Sequence, residues 1–164
     1  MYNDELIFDV ETDALDPATN SVRYVGAYSY RTNKYYFYSY NHLDDVQLLI
    51  QTHRVLINHN IKNFDIPSLI KISEFSNLFT YKVIVDTMDI AKTRINHMMN
   101  SNKERIHAIR FSLDEVHNKI FPNQLSKITD FNYELLKRDI DDLSDEEKQL
   151  IKNYTMNDVK LVKD

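Results

Sequence analysis

The run Leu6-Ile7-Phe8-Asp9-Val10-Glu11-Thr12 constrains this chain more than any other stretch. An apolar run of this kind reads as the core of a strand. Alternate side chains of a strand point to opposite faces, so Leu6, Phe8 and Val10 line one face and Ile7, Asp9 and Glu11 the other. Both faces begin apolar, which places the strand in the middle of a sheet covered on both sides. At its carboxyl end two carboxylates emerge side by side on one face. Like charges that close destabilise each other unless a cation sits between them. Two readings stay open at this point, a solvated strand end and a cation site.

The segments downstream of this strand fix the fold class. Val22 to Tyr30 and Lys34 to Tyr40 are rich in Val and Tyr and flank Arg31-Thr32-Asn33, the pattern of a hairpin. The tyrosines Tyr28, Tyr30, Tyr35, Tyr36, Tyr38 and Tyr40 read as cover for the sheet faces. Leu43 to His53 has helical spacing, Arg54 to Asn58 is a short strand, and Asn58 to Asn63 is a loop. A helix is expected from Phe64 or Asp65 to about Phe75, with Pro67 in its first turn. Lys82 to Val85 is a strand, and Asp86 caps a helix to about Ile95. Asn96 to Arg110, with Arg94, Lys103, Arg105 and Arg110 in or beside it, is expected to be a long, mobile loop, either a solvated surface segment or a contributor to phosphate binding. Ser112-Leu113-Asp114-Glu115 and Ser144-Asp145-Glu146-Glu147 are capping boxes that open two further helices. Phe131 to Arg138 reads as a short helix between them. Strands alternate with helices after the hairpin, which predicts an α/β fold with a mixed sheet.

Composition removes several function classes. A chain of 164 residues is about one domain, here 1–164, and long enough to bury a core. Without cysteine it can form neither disulfides nor thiolate metal sites. With Gly26 as its sole glycine it can hold no glycine-rich phosphate loop. No apolar run approaches the ~20 residues that span a membrane. The acidic start Met1-Tyr2-Asn3-Asp4-Glu5 is no secretory signal, so a cytoplasmic location is expected. The net charge of −5 argues mildly against a general electrostatic grip on nucleic acid, an objection that divalent ions bound among the acids would weaken.

Two more acids stand out. In the last helix Leu150, Ile151, Tyr154, Asp158, Leu161 and Val162 share one stripe. Asp158 thus occupies a core position, where an unpaired carboxylate is costly. Tyr154, one turn earlier, lies on the same side. Asp65 stands at a loop-to-helix junction, where a helix cap is the plainer role. It also comes after the carboxyl end of its strand, as Asp9 and Glu11 do theirs, and open α/β sheets place their sites there.

These residues fall into an ordered set. Phe8-Asp9-Val10-Glu11-Thr12, with Leu15 three residues on, resembles the D-x-E-T motif of the 3′–5′ exonuclease superfamily of RNase H-like fold, the DnaQ-like group. His59-Asn60-Ile61-Lys62-Asn63-Phe64-Asp65 is similar to its second motif, and Tyr154-Thr155-Met156-Asn157-Asp158 to its third, Y-x3-D. The tyrosine marks the DEDDy subclass. The histidine subclass would need His at Asn153. Asp65-Ile66-Pro67-Ser68-Leu69 and Val85-Asp86-Thr87 extend the similarity, most of all to the proofreading exonuclease domain of phage polymerases of family A. Relatives often carry glycine beside the second motif, where this chain has Asn58 and Ile61. A Thr-Gly pair is common where Thr12 is followed by Asp13 and Ala14.

The resemblance implies an RNase H-like fold with a mixed five-stranded sheet flanked by helices. It implies hydrolysis of phosphodiesters at two Mg²⁺ or Mn²⁺ ions. Asp9 would bridge both ions, Glu11 and Asp158 would complete the site of one, and Asp65 would hold the other. Tyr154 would orient the attacking water. Thr12, Leu15, Asn60 and Phe64 would contact the terminal nucleotide. The expected substrate is the 3′ end of single-stranded DNA, for a free-standing enzyme acting alone or beside a DNA polymerase in trans. A nuclease of short oligoribonucleotides is the alternative within enzymes, and an inactive nucleic-acid-binding or adaptor protein the alternative outside them. His59 reads as structural, and the acidic run Asp139 to Glu147 as a solvated face matched to a helix dipole.

Overall fold

The computed structural model describes residues 4–102, 111–121 and 124–164. Five strands form one sheet: β1 (Glu5–Thr12), β2 (Val22–Ser29), β3 (Lys34–Ser39), β4 (Val55–Asn58) and β5 (Val83–Asp86). Their order is β3-β2-β1-β4-β5. β1, β2 and β3 pair antiparallel in sequence, while β4 lies parallel to both β1 and β5. β1 is therefore central, as its two apolar faces require. The carboxyl ends of β1, β4 and β5 meet at one edge, where open α/β sheets carry their sites.

Each face of β1 has its own cover. Leu6, Phe8 and Val10 pack with Val46 and Ile50 of helix α1 (Leu43–Gln51) and with Leu69 of helix α2 (Asp65–Ile70). Ile7 packs on the other face with Tyr28, Met156 and Val159, the last two from helix α5 (Asp145–Lys163). Ser144 caps α5 by accepting the Glu147 N–H, and Glu147 accepts the Ser144 N–H in return, so the expected capping box is complete. Ser112 likewise accepts the Glu115 N–H at the start of helix α4 (Leu113–Ile120). The short helix expected near 131–138 is a 3-10 turn, Tyr133–Lys137.

The tightest seat of α5 on the sheet is at Gly26. This residue pairs with Asp9 in the β1–β2 register and lies on the same face. A Cβ there would stand 2.7 Å from Thr155 Cγ2 and 3.2 Å from Val159 Cγ2. The only glycine of the chain is thus the place where a side chain would hold the last helix off the sheet.

Several expectations need correction. α2 stops at Ile70, and Ser73–Phe75 is a separate 3-10 turn, because Ile72 between them is extended. Helix α3 (Thr87–Asn102) runs through much of the segment expected as a loop, and residues 103–110 lie outside the described residues. Leu150 is 55% exposed. Ile151, Tyr154, Asp158 and Leu161 of the expected stripe are buried, joined by Thr155, Met156, Asn157 and Val159 over the sheet. The tyrosines divide: Tyr28 is buried and Tyr36 and Tyr38 pack on the first cluster, while Tyr35 stays exposed at the edge strand. Among the described residues no helix is long and apolar enough to cross a membrane.

Candidate functional site

The two acids of β1 are set by the strand's own alternation. Asp9 and Glu11 stand on the face that α5 covers, and the register slips by one residue after Glu11, where Thr12 pairs with Val22. Such a bulge re-aims the chain at a strand end. Because α5 lies close over Gly26, its Asp158 reaches the same place. One carboxylate oxygen each from Asp9, Glu11 and Asp158 lies within 4.8 Å of the others. Glu11 and Asp158 are buried, and Glu11 Oε1 and Asp158 Oδ1 are closed to solvent with no hydrogen-bond partner.

Asp65 arrives from the other side of the strand end. It is 2% exposed and does not cap α2, whose N-cap Phe64 makes no side-chain bond. Its Oδ1 instead accepts the Val10 N–H at 3.0 Å and the Asn58 side-chain amide at 3.1 Å. The same Asn58 Nδ2 donates to Asp9 Oδ1 at 2.9 Å. All four acids are therefore joined, three by direct approach and Asp65 through Asn58.

The electrostatics arise from this crowding. Burial and the neighbouring Asp158 charge raise Asp9 to about 6, against the donation from Asn58. Burial and the Asp9 charge push Glu11 and Asp65 well above the usual carboxylate range. Burial also raises Asp158, although Lys127 opposes it. Lys127 Nζ donates to Asp158 Oδ2 at 2.7 Å. Burial alone would lower its ammonium, but Asp158 and Asp9 hold it above its ordinary range.

Lys127 is aimed by its neighbours. Asn157, beside Asp158 on α5, accepts the Ile128 N–H and donates to the Ser126 carbonyl, each at 3.1 Å. Both flanks of Lys127 are thereby pinned to α5. Tyr154 shares a 2.8 Å hydrogen bond with the hydroxyl of Tyr133 and lies stacked against Phe131, centroids 4.2 Å apart. Burial and the Glu11 charge push its hydroxyl far above the ordinary range, so it holds its proton.

The sequence-predicted residues meet in one open cleft of about 830 Å³. Asp9, Glu11, Asp65, Tyr154 and Asp158 line it together with Thr12, Leu15, Asn60 and Phe64. Leu15 is 87% exposed at the rim. Asn60 has a left-handed backbone (φ 65°), and its N–H is held by Asp86 Oδ1 at 2.8 Å. Asp86 also accepts the Met88 N–H, so it caps α3 as expected while fixing the loop that carries Asn60. Both ring nitrogens of His59 are engaged, with Thr87 Oγ1 and the Phe111 carbonyl, which is the structural role expected of it. Among the lining or bridging residues, Lys127 and Tyr133 carried no role in the sequence reading, and Asn58 figured there only as a departure beside the second motif. Asn58 had a readable signal, a polar residue at a core-facing position of an otherwise apolar strand.

An oxygen-only donor set suits a hard cation such as Mg²⁺ or Mn²⁺. The unpartnered oxygens of Glu11 and Asp158, and the excess of acids over cations among the described residues of the cleft, where Lys127 is paired with Asp158 and Lys137 with Glu134, fit such an ion.

Comparisons with known proteins bear on the same architecture. Residues 6–104 match the family model described as the RNase_H superfamily. No curated protein matches the sequence. The family B DNA polymerase from the hyperthermophilic archaeon Pyrobaculum calidifontis superposes with a TM-score of 0.59 at 14% identity, over 96% of this chain and 23% of the polymerase. Brucella melitensis NrnC, solved bound to pGG, gives 0.57 at 16% identity, over 98% of this chain and 70% of that one. The chain thus spans less than a quarter of the polymerase's length, and at these identities both likenesses speak to the fold.

Proposed function

Because this chain belongs to the RNase H superfamily, we propose that it is a metal-dependent 3′–5′ exonuclease of the DEDDy type that releases nucleoside monophosphates from the 3′ ends of single-stranded DNA. The observation that carries this reading is the convergence of Asp9, Glu11 and Asp158 within 4.8 Å at the carboxyl end of β1. Asp65 joins them through Asn58.

Asp9, Glu11 and Asp158 would hold a first divalent ion, and Asp9 with Asp65 a second. Such ions supply a nucleophile at neutral pH and neutralise the charge that develops on the phosphate. The protein's own groups do the rest. Tyr154 keeps its proton and orients water by hydrogen bond, with Tyr133 fixing its hydroxyl. Lys127 offers a positive charge beside the acids, where a phosphate would enter. Leu15 and Phe64 present apolar surface to a terminal base, and stacking of that kind tolerates any sequence. Action beside a DNA polymerase is part of this reading, and the likeness to part of a polymerase bears on it through the fold alone.

A second reading, cleavage of short oligoribonucleotides, is favoured by the likeness to NrnC, which was solved with pGG. An inactive adaptor is disfavoured, since a chain that had lost catalysis has no reason to crowd four acids together, three of them buried, at such electrostatic cost. The test is digestion of 3′- and 5′-labelled DNA and RNA, single- and double-stranded, with a dinucleotide included, in Mg²⁺ and in EDTA. Mononucleotide release from single-stranded DNA 3′ ends, abolished by EDTA and by Asp9→Ala, is expected. Retained cleavage in either condition would overturn the reading. Faster turnover of the dinucleotide would favour the second.

A further inference from the structure

Asn58 ends β4 and is 1% exposed. Its amide nitrogen donates to two carboxylates at once, Asp9 Oδ1 at 2.9 Å and Asp65 Oδ1 at 3.1 Å. Its own Oδ1 is buried without a partner. An unsatisfied buried carbonyl costs stability, so the side chain is not placed there for its own sake. What it does supply is two N–H dipoles, positive ends outward, between the buried Asp65 and the half-buried Asp9. Asp9 and Asp65 repel each other, and each raises the other's need for a cation.

We propose that Asn58 is a positioning residue that stands in for a divalent cation between Asp9 and Asp65. It holds this half of the site in shape while metal is absent and gives up the acids' oxygens when metal arrives. The inference rests on the proposed function in one respect, that these acids are cation ligands. It has a consequence that a merely structural amide lacks. The amide and the cation serve the same oxygens, so each weakens the hold of the other, and the coupling is reciprocal.

The experiment is calorimetric titration of the protein with Mn²⁺ alone, with thermal midpoints in EDTA and in Mn²⁺. Wild type is compared with Asn58→Leu, Asn58→Ser and Asp9→Ala. Asn58→Leu removes the donors at similar volume. Asn58→Ser is smaller, stays polar and cannot reach both acids, and it decides the matter if the leucine variant does not fold. Both Asn58 variants should melt lower in EDTA, bind Mn²⁺ about five- to tenfold more tightly, and gain more in midpoint from Mn²⁺ than wild type does. Unchanged or weaker Mn²⁺ binding in the variants, with wild type binding and Asp9→Ala not, overturns the role of Asn58 alone. A folded wild type that takes up no Mn²⁺ overturns the nuclease reading, and this one with it.

Discussion

Lys127 Nζ stands 2.7 Å from Asp158 Oδ2, its side chain 26% exposed and that of Asp158 only 8%. A pair this enclosed is costly to break from one side, since the remaining charge is left in low dielectric. Lys127→Met should therefore lower stability in EDTA by about 1–3 kcal/mol, less than for a fully dry pair because Lys127 still meets water. Mn²⁺ should narrow the gap by giving Asp158 another counter-charge. Urea unfolding with and without Mn²⁺ measures both.

Tyr154 and Tyr133 share one hydrogen bond but not one role. Tyr154→Phe should cut turnover by roughly 10²-fold, the lower range for a group that positions a proton acceptor or donor, while single-stranded DNA binding stays near wild type. Tyr133→Phe leaves the Tyr154 hydroxyl in place and should cost less. Single-turnover rates beside fluorescence anisotropy of a labelled strand separate the two effects.

The raised Asp9 makes the metal-free protein sensitive to pH. Its ordinary value is 3.8 and in the fold it is about 6. Between these the folded chain keeps a proton that the unfolded chain releases, so stability falls as pH rises through that window and stays low above it. Asp9→Asn keeps an acceptor for Asn58 and carries no charge. In EDTA at pH 8 it should be more stable than wild type by about 3 kcal/mol at most, and the difference should close by pH 4. Chemical denaturation across that range tests the sign.

Gly26→Ala tests how α5 is seated. The new methyl would meet Thr155 Cγ2 at 2.7 Å, so the helix must shift. The variant should lose about 1–3 kcal/mol, and cleavage should fall further than stability does because Asp158 moves with the helix. Adding Thr155→Ser removes the clashing methyl and keeps a hydroxyl for the Ile151 carbonyl, which Thr155 now serves at 3.0 Å. It should restore much of both.

What could be read from the sequence was local. β1 declared itself because alternation and an apolar run sit in seven consecutive residues. The capping box at Ser144 and its half-formed counterpart at Ser112, where the Glu115 side chain does not return the bond, span four residues each. The motif acids were found by order and spacing, and the fold brings them to one edge. The missing parts act over distance. Asn58 meets Asp9 across 49 positions, Lys127 meets Asp158 across 31, and Tyr133 meets Tyr154 across 21. No local pattern carries such pairs. Leu150 misled for a related reason. The sheet, and not the helix alone, decides which residues are covered, and Gly26 sets Thr155 and Val159 against it while Leu150 stays outside that contact.

The clamp that Asn157 places on Ser126 and Ile128 makes Lys127 a passenger of α5. If thermal motion lifts that helix from the sheet, Asp158 parts from Asp9 and Glu11, but the ammonium goes with it. The seam of the site therefore divides a self-neutralised fragment, Asp158 with Lys127, from a group of acids braced by Asn58. Breathing along that seam exposes no lone Asp158 charge to a dry interior. The helix stays on the sheet through its buried Ile151, Val159 and Leu161, and any small shift it makes carries Asp158 and its counter-charge together.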